Sequence, residues 1–534
     1  MNQGQMEPDD ESEMRSVIRL SCFVVVAAMA DLAAQLPGQK VAAAFDVECS
    51  NGRKHRGDSL APNSAHTTDH DSWLQVGVLL VTGFTSGYVL SYSSLILRPL
   101  GWLWGSLCMA FIAFFSLYGN CLLAELNAID GRRFIRYRDL MGYVFGRKMY
   151  YTTYVLQYSM LVLGNMGFIM LAAKSLKASS WLPDHLLIIF TDLFFINSVS
   201  LIHYNRISCF FLLKTTQEIN LAFDASALRL QVYIVITGAV YFIFSVLVPT
   251  MSAMREWLGL SVLLTLAYIG TVTATSVKDG MSNSVKSYHV DGSTAGKIFN
   301  AFGAVSAIVV SHNSGLLPEM QSTLRRPAVK NMKAALLMQF TVGLPIYYGV
   351  TVIGYWAYGA EVSAYLPEQI SGPKWAKVLA NLAMFVQSVV SQHVTVPSSS
   401  FSTSVNIEMF LTPVHETLDT MYLNPEESLW SYTNMKRRSL LRAIVFAVNS
   451  FVVAMFPFMG DFVNLLGSFA LLPLSLVFPS MIFIKVKGRT ASFTTKAWHW
   501  LNIILFSIFT ILTTVSAVRL IIENVRIYHF FANT

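Results

Sequence analysis

Long apolar runs separated by short polar stretches occupy most of this chain. Many runs reach the ~20 residues that an α-helix needs to cross ~30 Å of hydrocarbon. The pattern places spans at 74–97, 100–126, 150–173, 232–250, 257–277, 298–317, 333–358, 375–396, 440–458, 461–484 and 499–521. The runs are continuously apolar, whereas a transmembrane β-barrel would alternate apolar with polar residues. The fold class expected is therefore an all-α polytopic membrane protein of about eleven transmembrane helices. One further run, Leu186–Ile202, contains Asp192 and Asn197. A mid-span Asp costs about 2.5–3.5 kcal/mol on insertion scales, so this run is not expected to cross on its own.

Two runs are interrupted. Thr82–Gly87 (TGFTSG) and Ser311–Gly315 (SHNSG) insert small and polar residues into spans one and six, and Pro99 and Pro318 follow them. A bilayer tolerates broken helices only where the freed backbone groups line protein or a cavity. A matched pair of breaks, one in each half, points to the binding site of a secondary transporter built from two inverted repeats. The architecture expected is a 5+5 inverted repeat, with the first and sixth helices broken, plus one extra helix.

Composition narrows the class. Of 534 residues, 54% are hydrophobic and only 13% charged, about half the charge of a soluble domain, so soluble-domain counting does not apply. The five cysteines are scattered and show neither a disulfide framework nor metal-ligand spacing. The net charge of +7 lies in loops. With eleven spans and a cytosolic N-terminus, the inner loops hold Arg132, Arg133, Arg136, Arg138, Arg147, Lys148, Arg325, Arg326, Lys436, Arg437 and Lys485, among others. They carry more than twice the Lys and Arg of the outer loops, as the positive-inside rule requires. The basic, aromatic loop 128–149 suits a short helix on the anionic cytosolic leaflet. Residues 1–70 read as a polar cytosolic region. Their one apolar run, Cys22–Ala30, is too short to span.

The stretches 71–102, 135–158 (IRYRDLMGYVFGRKMYYTTYVLQY), 317–343 (LPEMQSTLRRPAVKNMKAALLMQFTVG), GYWAYG at 354–359 and 500–521 resemble the amino acid/auxin permease family, and within it the plant proline transporters. The resemblance covers most of 66–181, 232–396 and 411–534. It implies a transporter domain over 71–534 that imports proline, or related solutes such as γ-aminobutyrate and glycine betaine, with a proton as coupling ion. It also implies residence in the plasma membrane. Residues 182–231 and 397–410 depart from the pattern and read as insertions, as unspliced intron would produce. A non-transporting or impaired product is therefore one alternative, and a permease of the lysine/histidine type is another.

The candidate site follows from the breaks. Gly83 and Gly87 let the backbone open without a Cβ clash. N–H groups at the start of a half-helix favour an anion. Gly83–Gly87 is therefore assigned the solute's carboxylate, with the Thr85 and Ser86 hydroxyls assisting. Taken alone, the stretch also reads as a glycine-softened span packed through small residues. Ser311, His312 and Asn313, with Ser314 and Gly315, offer carbonyls to the amine. Phe84, Tyr88 and Tyr158 are aromatic residues that could cover an apolar ring or attract a quaternary ammonium. Ordinary packing competes for each, most of all for Tyr158. Asn165 is either a pocket group or an interhelical hydrogen bond.

His312 stands where the proline transporters carry an aromatic residue and resembles the lysine/histidine branch. It can titrate near neutral pH and couple to protons, or sit neutral against a carbonyl. Glu319 is an intramembrane carboxylate, either functional or an inner gate paired with Arg325 or Arg326. Gln387, Ser388 and Ser391 in span eight have no carboxylate beside them, which suits a proton better than sodium. No nucleophile–base pair, metal motif or cofactor motif appears, and no repeated filter or charge ring marks a channel.

Overall fold

In the computed structural model, residues 71–93, 96–129, 131–178, 229–247, 251–283, 286–290, 292–363, 365–393, 422–423, 431–456 and 464–527 are described. Each of the eleven expected spans holds a helix. Span one is α1 (Trp73–Phe84) and α2 (Gly87–Ser93), and span two is α3 (Leu97–Leu126). A two-residue antiparallel ladder, β1 (Ala128–Ile129) with β2 (Arg132–Arg133), and α4 (Tyr137–Phe145) lead into span three, α5 (Arg147–Ala178). Spans four and five are α6 (Leu230–Leu247) and α7 (Met251–Ser282). Span six is α8 (Thr294–His312) and α9 (Leu317–Thr323). Span seven runs from α10 (Ala328–Met338) through a π-helical turn, Gln339–Gly343, into α11 (Leu344–Tyr358). Spans eight and nine are α12 (Lys374–His393) and α13 (Tyr432–Met455). Span ten passes through π-turns at Gly467–Leu471 and Pro473–Val477 into α14 (Phe478–Lys487), and span eleven is α15 (Phe493–Ile527). Leu186–Ile202 and residues 397–410 lie outside the described residues. So does 182–231, apart from the last residues, which lead into α6.

Sequence explains the helix ends near the site. Ser72 caps α1: its Oγ accepts from the Gln75 N–H, and Gln75 Oε1 accepts from the Ser72 N–H at 2.7 Å. Pro318 sits in the first turn of α9, where its missing N–H costs nothing. Gly101, at φ 68°, kinks α3 just after Pro99.

Several polar side chains point inward and find partners on other helices. The Asn449 amide donates to Asn165 Oδ1 at 3.0 Å, Gln387 to Thr265 Oγ1 at 2.6 Å, and Ser91 Oγ meets Tyr268 OH at 3.0 Å. Such bonds hold helices together where burial in lipid gives no hydrophobic drive. Exposed apolar residues form the opposite faces: Leu103, Leu107 and Phe114 on α3, and Leu501, Ile504, Ile508, Ile511 and Val515 on α15. Their three-to-four-residue spacing is one helix face each, and that face meets lipid.

At the end of the molecule reached by α7 and α11, Asp279 joins three segments. Its Oδ2 accepts from Tyr358 OH at 2.6 Å and from the Ser371 N–H at 2.8 Å, and its Oδ1 accepts from Ser371 Oγ. Asp279→Ala leaves those donors unmatched and is expected to cost about 2–4 kcal/mol. A lower melting midpoint of the detergent-solubilised protein is the check. An unchanged midpoint would show the staple to be idle.

Candidate functional site

The first break is narrower than the sequence suggests. Gly83 and Phe84 still belong to α1, Gly87 and Tyr88 already open α2, and only Thr85 and Ser86 leave the helix. Both hydroxyls serve the local backbone. Thr85 Oγ1 donates to Val81 O at 3.1 Å, and Ser86 Oγ accepts from the Val89 N–H at 3.4 Å. Ser86 O takes the Leu90 N–H at 2.9 Å. The first-turn N–H groups of Gly87 and Tyr88 remain outside the ladder of their own half-helix.

The second break covers Asn313–Leu316, two residues later than expected, and Ser311 and His312 form the last turn of α8. Asn313 is held from the side: its amide donates to Ser116 Oγ at 2.9 Å and to Val309 O at 3.0 Å, and its Oδ1 accepts from Asn120 at 3.3 Å. Ser314 Oγ takes the Leu316 N–H. Gly315 turns the chain at φ +67° and offers its carbonyl to the Gln157 amide at 3.1 Å.

The two breaks meet through aromatic rings. Phe84, fully buried, lies edge-on to His312 with centroids 4.9 Å apart, and Phe340 and Tyr347 close the group at 5.6 and 5.8 Å from Phe84. His312 is also fully buried. Its Nδ1 is 2.7 Å from Ile308 O and 2.9 Å from Ser311 Oγ, and its Nε2 is 3.3 Å from Tyr348 OH. Tyr348 OH gives its hydrogen to Met109 O at 2.6 Å, and Ser311 Oγ gives its own to Ile308 O at 2.7 Å.

Beside this contact lies a cleft with about 20 Å³ of free space, lined by Val89, Tyr92, Ser93 and Ile96 of span one, Ala307, Val310 and Ser311 of α8, and Tyr347. That is room for a water or two, and none of these lining side chains carries a charge. Of the expected residues only Ser311 lines it. Most of the other lining residues are marked in the sequence by helical spacing alone. Residues 89, 92 and 93 of α2 have i, i+3, i+4 spacing, and 307, 310 and 311 of α8 repeat it, so each set is one helix face.

Three of the candidate residues do not line the cleft. Tyr158 stacks on Tyr154 at 4.2 Å, one turn away, and the Arg138 guanidinium stands 5.0 Å from the Tyr154 ring. That cluster belongs to α4 and the start of α5. Asn165 makes the interhelical bond to Asn449 described above. Glu319 does not pair with Arg325 or Arg326: its Oε1 accepts from the Tyr137 N–H at 2.9 Å and from the Gln157 amide at 3.0 Å. The loop helix α4 does form. It turns Tyr137, Leu140 and Met141 into the bundle, where Tyr137 OH donates to Leu474 O at 2.7 Å.

Residues 69–522 match the family described as "Transmembrane amino acid transporter protein". The chain is similar to "GABA transporter 1" of Arabidopsis thaliana, 24% identical over 479 residues, covering 86% of this chain and 93% of that one. It is also similar to "Lysine histidine transporter-like 6" of the same plant, 24% identical over 441 residues, covering 81% and 87%. Among solved structures, a manganese transporter mutant from Eremococcus coleocola aligns with a TM-score of 0.45 at 11% identity, over 88% of this chain and 97% of that one.

Proposed function

Because this chain belongs to the transmembrane amino acid transporter family, we propose that it imports proline or a related small zwitterion, γ-aminobutyrate or glycine betaine among them, together with a proton. The transporter domain would be 71–534, preceded by a polar cytosolic region, and the membrane would be the plasma membrane. The observation that carries the reading is the junction of the two breaks at Phe84 and His312, with an uncharged cleft directly beside it. The solute's carboxylate goes to the start of α2, among the N–H groups of Gly87 and Tyr88 and near the Thr85–Ser86 turn. Its ammonium goes to the carbonyls around Ser311–Asn313. The cleft as it stands is smaller than any amino acid, so binding requires α2 and α8 to part, as alternating access entails.

An uncharged lining favours a solute whose charges cancel. A lysine side chain would bring an ammonium with no partner, at a cost of several kcal/mol. The name of one relative, a GABA transporter, supports the small-zwitterion class. The lysine/histidine relative and His312 itself support the second reading, a permease for cationic amino acids.

His312 is the proposed proton carrier. Ile308 O accepts from Nδ1–H, and Tyr348 OH, its hydrogen committed to Met109 O, can accept from Nε2–H. A ring with its proton on Nδ1 alone satisfies the first contact, and a second proton arriving at Nε2 would meet the Tyr348 oxygen.

Uptake of labelled proline and γ-aminobutyrate in transport-deficient yeast tests the whole. Accumulation is expected under an inward pH gradient and is expected to collapse with a protonophore. Indifference to the gradient removes proton symport, and competition by excess lysine removes the neutral-solute reading. Uptake that appears only after deletion of 182–231 and 397–410 would establish the impaired-product alternative. His312→Phe is expected to keep solute exchange while losing gradient-driven accumulation about ten-fold. Gradient-driven accumulation at the full level in that variant would rule His312 out.

A further inference from the structure

Glu319 occupies a position that the sequence does not disclose. It lies in the first turn of α9, the half-helix below the second break, yet its carboxylate caps a different helix. Arg136, the residue before α4, makes no side-chain cap to that helix. Glu319 Oε1 takes its place by accepting from the N–H of Tyr137, the first residue of α4, at 2.9 Å. The same oxygen accepts from the Gln157 amide, which also donates to Gly315 O at 3.1 Å. One carboxylate thus ties the unwound backbone, α5 and α4 into a single knot. Its second oxygen, Oε2, is buried and has no hydrogen-bond partner among the described residues.

The surroundings are otherwise committed. Arg138 of α4 is the cation whose charge acts on Glu319, and it faces the Tyr150 and Tyr154 rings. Arg133 of β2 donates to the carbonyls of Gln321 and Leu324. Glu125 of α3 pairs with Lys333 of α10. Asp71 enters through its backbone: its N–H donates to Thr323 O at 2.8 Å and its carbonyl accepts from the Arg325 N–H at 3.0 Å. The start of α1 is thus tied to the end of α9, and the Glu319 contact ties α9 in turn to α4.

We propose that Glu319 is the latch of the inner gate: ionised, it caps α4 and keeps α9 closed against it, and protonation releases the cap so that α1 and α9 swing from α4 together. The inference deepens the transporter reading, on which its purpose rests, by naming what holds the cytosolic side shut. An ionised acceptor at a helix N-terminus gains from charge and from the helix dipole, and both gains vanish when it takes a proton. A protonated carboxyl would instead donate through Oε2, which has no acceptor in the closed arrangement. Glu319 is a positioning residue here and touches no solute.

Hydrogen–deuterium exchange on the purified full-length protein, without solute, tests this. At neutral pH, Glu319→Ala is expected to speed exchange about ten-fold in peptides covering 137–145 and 313–323. Glu319→Gln, which keeps an acceptor but no charge, should fall between it and the wild type. Peptides from 493–527 should not change. Wild-type protein moved to acidic pH, with intrinsic rates corrected, should lose protection in the same two segments. A wild type whose protection there is indifferent to pH overturns the proposal, and this arm stands even if the variants do not fold. So does a folded Glu319→Ala protein as protected as the wild type. Failure of uptake would sink the transporter reading and leave these exchange results standing, so the two failures are distinguishable.

Discussion

Gly315→Val is expected to abolish solute uptake while the protein still reaches the membrane. Gly315 sits at φ +67°, a region where a β-branched residue is strained by about 1–2 kcal/mol or more. Space is lacking as well. A Cβ there would stand 2.7 Å from Met160 Sδ and 3.0 Å from Leu471 Cδ2. The methionine end can shift, but Leu471 belongs to the π-turn of span ten, and the valine methyls extend beyond the Cβ. Overpacking adds about 1–3 kcal/mol. The strain falls on the one peptide that hands its carbonyl to Gln157, so the break, the Gln157–Glu319 contact and the seating of α9 are displaced together. With about 3 kcal/mol lost, uptake should drop about a hundred-fold. Gly315→Ala, with the same backbone strain and less bulk, should fall between. Initial-rate uptake normalised to surface protein measures the effect, and a valine variant transporting at the normal rate would mean that the second break does not carry the site.

The spans were legible because lipid imposes a length and a composition on any helix that crosses it, and each expected segment holds a helix. The breaks were legible for a related reason: TGFTSG and SHNSG interrupt apolar runs at matched places in the two halves, which packing through small residues does not require. Their outcome differs by a residue or two because the sequence marks where a helix can open, and neighbours decide where it does. Asn313 leaves the helix under bonds from Ser116 and Asn120 of α3, nearly 200 positions earlier in the chain. Glu319 was found as a candidate, but its partner was misjudged. Charge suggested Arg325 and Arg326, which are near in sequence, whereas the fold supplies an uncapped helix start and an amide from spans that sequence distance hides. Tyr158 follows the packing alternative that the sequence favoured for it. It is aromatic and mid-chain, but helical spacing joins it to Tyr154 beside Arg138. The cleft-lining residues were hidden in plain periodicity, since a face of Val, Tyr, Ser and Ile reads as ordinary packing until another helix is seen opposite.

Gly467→Val is expected to remove both transport and much of the folded protein. Gly467 opens the first π-turn of span ten, where the chain passes against α8. A Cβ at that point would stand 2.2 Å from Ser306 O and 2.8 Å from both Ser306 C and Val310 Cγ2. Two of those atoms are backbone of α8 and cannot rotate away, so α8 itself would have to move by an ångström or more. Close backbone approach through a small residue is how helices associate where burial gives no drive. Losing it costs packing along α8 as well as the overpacking strain, together about 3–5 kcal/mol. Function is affected too, because Val310 and Ser311 line the cleft and any displacement of α8 alters a space of only about 20 Å³. Single π-turns inside α-helices concentrate at functional sites. Fluorescence-detected size exclusion should show a depleted monodisperse peak for Gly467→Val, and a milder loss for Gly467→Ala, whose single methyl carries less of the clash. Any folded remainder should transport less per molecule than wild type. A valine variant with a wild-type elution profile and wild-type uptake would mean that α8 and span ten do not need their close approach, and the cleft would then have to be bounded by some other contact.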